Sequence, residues 1–262
     1  MIPTTYGIGQ MDGGRDRVTS AIQLASARTG VAFGYLLNQA RIESSFNPNA
    51  RARTSSATGL YQFIDQTWLG TVKQHGAEHG LGWASDAIRR GANGRYYVAN
   101  PGMRQAILDL RRQPEAASAM AAEYASDNGR YLESRLGRPA EPVDLYLAHF
   151  LGAGGAARFL RAHDANPGAA AAPLLPAAAR SNRAVFYDRS GSPRSLAEIR
   201  DRFAARIGGD GGVPVQRPAP GFAREMRMAS ATAPEWDRPR ATVQPQHARL
   251  AYLMLAQLGE IE

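Results

Sequence analysis

One spacing constrains this chain more than any other: apolar residues recur three and four positions apart, in blocks that glycine and proline punctuate. No stretch longer than a few residues alternates apolar and polar side chains. Such a chain buries helix stripes rather than sheet faces, so the expected fold class is mainly α. Residues 15–28 carry Val18, Ile22, Leu24 and Ala25 on one face, with Gly30 closing the helix. Phe33, Leu36, Leu37, Ala40 and Ile42 form the stripe of a second helix, which ends near Ser44-Ser45 because Pro48 disfavours helical geometry at Asn47. Residues 47–64 lack a helical period and read as a loop.

Asp65-Gln66-Thr67 reads as the cap of a helix running through Trp68, Leu69 and Val72 to His75, with Gly76 as its stop. Residues 76–103 are glycine-rich and read as irregular. A helical pattern resumes from Met103 to Leu136, with Pro114 at a helix start, and Pro142 opens a helix through Val143, Leu145, Tyr146 and Phe150. Gly152, Gly154 and Gly155 break it, Ala156–His163 resumes it, and residues 169–180 and 196–207 read as further helices. The expected divisions are a first domain at 1–165, a helical extension packed on the core at 166–207, a Gly/Pro/Arg linker at 208–242 and a C-terminal helix at 243–262. That last helix either docks on the core, contacts a protein partner or stays mobile, and the sequence leaves the three readings open.

With 262 residues, 44% of them apolar, the chain can bury a substantial core. It has no cysteine, which excludes disulfides, thiolate metal sites and cysteine nucleophiles. The net charge of +8 rests almost wholly on arginine, Lys73 being the single lysine. From Gly208 onward six Arg balance six Asp and Glu, so the excess lies in residues 1–207. A basic globular part attracts polyanions. Cell-wall polymers bearing carboxylates qualify, whereas no nucleic-acid-binding motif is present, and nucleic acid is not an expected partner. No apolar run approaches the ~20 residues that cross a bilayer. Met1-Ile2-Pro3-Thr4 lacks a basic-then-apolar leader, so export is expected to have involved a trimmed signal or another route.

The chemistry concentrates in Arg41-Ile42-Glu43-Ser44-Ser45-Phe46-Asn47-Pro48 and in Ser56-Ala57-Thr58-Gly59-Leu60-Tyr61-Gln62-Phe63. An acid at the end of an apolar helix, entering a polar loop, sits between core and solvent. There a carboxyl is partly desolvated, which favours its protonated form near neutrality and suits it to protonate a glycosidic oxygen.

The pattern Glu-Ser-x-Phe-x-Pro, followed by Gly-Leu-x-Gln sixteen residues after the glutamate, resembles the catalytic domain of soluble lytic transglycosylases. Tyr146-Leu147-Ala148-His149-Phe150-Leu151-Gly152 falls where that family carries Ala-Tyr-Asn-x-Gly. The resemblance spans residues 15–165 and implies a goose-type lysozyme-like fold with a substrate cleft. It further implies cleavage of peptidoglycan glycan strands in the periplasm or cell wall, between N-acetylmuramic acid and N-acetylglucosamine. Glu43 matches the catalytic acid, which then acts as base to close a 1,6-anhydro ring. Ser44, Gly59, Leu60, Tyr61, Gln62, Tyr146, His149 and Phe150 are the implied substrate-binding positions. Gln62 would bond the sugar or steady Glu43. Tyr61, replacing the family's methionine, either stacks on a sugar or packs. His149 and Phe150 stand in place of the family's tyrosine and asparagine, and His149 either positions Glu43 or is a satisfied histidine in a helical wall.

A hydrolytic lysozyme is the rival reading and would need a second acid, for which Asp65, Glu78 and Asp86 are the candidates. An inactive wall-binding scaffold is another. No cofactor is implied. His75 and His79 are spaced as a possible metal pair, but Gly76 and Gly80 weaken the helix between them, and they read as solvated histidines with no metal.

Overall fold

A computed structural model describes residues 9–53 and 55–208. The expected linker at 208–242, apart from Gly208, and the C-terminal helix at 243–262 lie outside those described residues. The described part is mainly helical, in agreement with a lysozyme-like domain.

Helices α1 (Gly9–Thr29), α2 (Phe33–Ser44), α3 (Asp65–His75), α4 (Gly82–Ala87), α5 (Pro101–Asp109), α6 (Pro114–Leu136), α7 (Pro142–Leu151) and α8 (Ala153–Ala165) surround one core. Three short helices follow, α9 (Ala171–Leu174), α10 (Pro176–Ser181) and α11 (Arg183–Phe186), and then α12 (Leu196–Gly208). Helix α6 is the centre. In its first half Ala116, Ala117, Ala119, Met120, Ala121, Ala122 and Ala125 are all buried, so the helix is apolar on every side. Alanine leaves room for close neighbours, and α1, α2, α3, α7 and α8 all pack on it.

Several boundaries differ from expectation for identifiable reasons. Helix α5 begins at Pro101, before Met103, because the Asn100 side chain accepts from Met103 N at 2.9 Å and Pro101 occupies the first turn. The stretch 169–180 is two helices, since Pro176 has no N–H to donate and Leu175 before it leaves helical geometry. The irregular stretch 76–103 holds a 3₁₀ turn at Gly76–His79, helix α4 and a hairpin of β1 (Arg89–Arg90) with β2 (Tyr96–Tyr97). Leu24 is 49% exposed, because the buried face of α1 is set by Val18, Ala21, Ile22 and Ala25 and Leu24 points away from it.

Helix α12 presents Leu196, Ile199, Phe203 and Ile207 as one buried stripe against α7, α2 and α8. Phe203 meets Tyr146 and Phe150 edge to face, with centroids 5.5 and 5.2 Å apart. Asn38 Nδ2 donates to Ile207 O at 2.9 Å, and Arg200 pairs with Glu141 at the start of α7. Replacing Phe203 by Ala is expected to cost about 3–5 kcal/mol, and by Leu much less. Chemical denaturation checks this, an unshifted midpoint for Phe203→Ala being the contrary result.

Candidate active site

Glu43 lies in the last turn of α2, and the chain reverses sharply behind it. Ser45 and Phe46 both adopt left-handed geometry, at φ 52° and 64°, and their N–H groups return to Arg41 O and Ala40 O. Ser44 Oγ lies 2.9 Å from Leu60 O and 3.1 Å from Ala40 O, within donating distance of either. Its hydroxyl therefore fastens the end of α2 to the following loop.

That loop is held by an interior arginine. Arg111 Nη1 donates to Ser56 O at 2.9 Å, Phe63 O at 2.8 Å and Asp65 Oδ1 at 3.0 Å, while its Nε reaches Leu108 O. Burial pulls the Arg111 guanidinium below its ordinary range, and Asp65 opposes that shift. Gly59 passes so near that a Cβ there would stand 1.9 Å from Arg111 O, at a φ of +84° that side chains rarely adopt. The Gln62 amide donates to Gly59 O at 2.8 Å and Ala50 O at 3.2 Å.

The Glu43 side chain is 2% exposed. Its Oε1 is 3.3 Å from His149 Nε2, and His149 Nδ1 is 3.3 Å from Gln39 Nε2. An amide nitrogen can only donate, so Nδ1 accepts and Nε2 carries the ring proton toward Glu43. Oε2 is buried and has no hydrogen-bond partner. Tyr146 stacks on the imidazole at 6.1 Å and 14°, and Tyr124 meets it edge-on at 6.5 Å. Burial raises the pKa of the Tyr146 hydroxyl, and the charge of Glu43 adds to it. Burial likewise pushes Tyr35 up, with Tyr146 and Glu43 contributing. These phenols therefore stay neutral around the carboxyl.

The structure thus brings Glu43, His149 and Tyr146 together, and it assigns the other expected positions differently. Leu60 and Tyr61 are 0% and 1% exposed. Of the two readings of Tyr61, packing holds: the ring lies in the core and offers no face to a sugar, and burial raises its hydroxyl pKa. Phe150 is core against Phe203. Gln62 does not steady Glu43, because its amide is taken by loop carbonyls. Gly59 and Ser44 shape the backbone.

Asp65 is the first residue of α3 and makes no cap there; its carboxylate is bound by Arg104 at 2.6 Å and Arg111 at 3.0 Å. Asp86 is exposed on α4. His75 and His79 are not solvated, their side chains being 9% and 6% exposed, because α6 sets Glu123 and Asp127 against them. Sequence reasoning missed Gln39, whose spacing of four residues before Glu43 places it on the same helix face, and the aromatic backing from Tyr35, Tyr124 and Phe203.

A mainly helical domain in which a buried carboxyl, Glu43, lies beside a helix-borne histidine is what fold and site define. Residues 20–86 match the family model of the Transglycosylase SLT domain, consistent with an SLT-type lytic transglycosylase domain. The match includes Glu43, Gly59 and Gln62; His149 and α12 lie beyond it. It points to lytic transglycosylase activity on peptidoglycan. None of the helices among the described residues is long and apolar enough to cross a membrane.

Gly59→Ala is expected to destabilise the protein by about 3 kcal/mol or more, through both the positive φ and the contact with Arg111 O. Thermal unfolding measures it, and a melting temperature equal to that of the parent would contradict the account.

Proposed function

We propose that this protein cleaves the β-1,4 bond between N-acetylmuramic acid and N-acetylglucosamine in peptidoglycan, with Glu43 as acid and then base and a 1,6-anhydromuramic product. The observation that carries the reading is Glu43 itself: one carboxyl, 2% exposed, with Oε1 beside His149 and Oε2 free of partners.

In the first step Oε2–H would protonate the bridging oxygen, and the C1–O bond would break as an oxocarbenium-like centre develops. The resulting carboxylate would then take the proton of the C6 hydroxyl as its oxygen closes on C1. Glu43 regains the proton it gave, so acid and base balance. The nucleophile is tethered to the reacting sugar, and proximity replaces the activation of water. His149 N–H would hold Oε1 throughout, keeping Oε2 in one orientation. With Glu43 so enclosed, a glycan can reach Oε2 only as neighbouring side chains part, which couples binding to opening.

The engagement of Asp65 by two arginines disfavours the hydrolytic reading, since it occupies one of the candidates for a second acid. Retention of Glu43 together with Gly59 and Gln62 weighs against an inactive scaffold, which has no need of that set. Action on peptidoglycan implies a periplasmic or wall-associated location.

Glu43→Gln is expected to lower the rate of sacculus digestion by about 10²–10⁴ while leaving the melting temperature near that of the parent. Unchanged lysis would end the assignment. Mass spectrometry of the parent digest is expected to show anhydro-muropeptides; reducing-end muropeptides alone would mean hydrolysis. His149→Ala is expected to reduce kcat by roughly 10-fold or more with KM little changed, as loss of one orienting hydrogen bond would do.

A further inference from the structure

Where α3 runs into the 3₁₀ turn, His75, Glu78 and His79 project toward α6 and meet Glu123 and Asp127. A 3₁₀ turn eclipses residues three apart, which sets Glu78 beside His75. One donor atom from each of His75, Glu78 and Glu123 lies within 4.8 Å of the other two. We propose that these three residues form a binding site for a divalent transition metal, Zn²⁺ fitting the donor set best, with Asp127 and His79 as its supporting groups.

The spacing agrees with the coordination. Donors 2.0–2.2 Å from a tetrahedral zinc stand roughly 3.3–3.5 Å apart, and His75 Nδ1 is 3.5 Å from Glu123 Oε2. Glu78 is exposed, so its side chain can complete the set without disturbing the core. One imidazole and two carboxylates suit zinc, and three protein donors leave a fourth position for water.

The surrounding hydrogen bonds suit a metal centre. His75 Nε2 is 2.8 Å from Asp127 Oδ2; donation there puts the ring proton on Nε2 and leaves the Nδ1 lone pair facing Glu123. Gln74 Nε2 and Arg130 hold Asp127 in turn. His79 Nε2, 2.9 Å from Glu123 Oε1, orients the second ligand and leaves Oε2 for the ion. The buried Nδ1 of His79 has no partner, so that ring is fixed by its bond to Glu123 alone. A cation here would balance three gathered carboxylates and would clamp the α3 turn to the central helix.

The test is calorimetric titration of the chelator-treated full chain with Zn²⁺ alone, paired with thermal unfolding. One Zn²⁺ per chain and a raised melting temperature are expected. Glu78→Gln, which alters an exposed residue and leaves the fold intact, is expected to weaken binding at least 10-fold and abolish the thermal shift. Glu123→Gln should do the same, and Asp127→Asn should weaken binding 10–100-fold. Glu43→Gln should bind as the parent does. No stoichiometric binding, or binding that survives Glu78→Gln combined with Glu123→Gln, would overturn the proposal. So would loss of binding in Glu43→Gln, which would put the ion beside His149 instead.

Discussion

An acid shut away from water has to be held by something, and the contact between Glu43 and His149 is where that requirement shapes the structure. A carboxyl with a side chain 2% exposed needs a donor for one oxygen, or burial would expel it. His149 supplies that donor only if its other nitrogen accepts, which Gln39 ensures from the same face of α2. The ring must also be kept flat in place, and Tyr146 stacks on it while Tyr124 meets its edge. Each group therefore exists in one orientation because the next one fixes it.

The loop between α2 and α3 follows from the same requirement by a different route. Residues 57–64 are buried without a helical ladder, so carbonyls of this loop are satisfied from inside by Arg111 and from alongside by Gln62. Gly59 is where this loop touches Arg111 backbone, and Ser44 is where it touches α2. The conspicuous residues of the loop hold its path, and the acid is placed by the path that results.

Much of this was legible in the sequence, because it lies in periodicity and punctuation. The breaks at Gly30 and Pro48 and the starts at Pro114 and Pro142 are local signals that survive folding, whereas the buried face of α2 is Tyr35, Leu36, Gln39, Ala40 and Glu43, with Phe33, Leu37 and Ile42 of the expected stripe only partly buried. The pairing of His149 with Glu43 was legible as one of two readings. What could not be read was which polar side chains would turn inward, Gln62 and Ser44 to backbone and Asp65 to two arginines, since all three have donors or acceptors that suit a ligand equally well. Tyr61 shows the same limit for aromatics, since a ring that packs and a ring that stacks on sugar carry one letter. The pairing of His75 and His79 with α6 depends on two segments meeting in space, and no spacing along one segment reveals it.

Phe203 changes where this unit ends. It is wedged between Tyr146 and Phe150, and the helix that carries it receives a hydrogen bond from Asn38, one residue before Gln39. A fragment cut at residue 86 would lack the histidine altogether, and one cut at residue 165 would leave the back of Tyr146 bare to solvent. The packing behind Tyr146 therefore runs through α12 to Ile207, well past the residues that the family model matches.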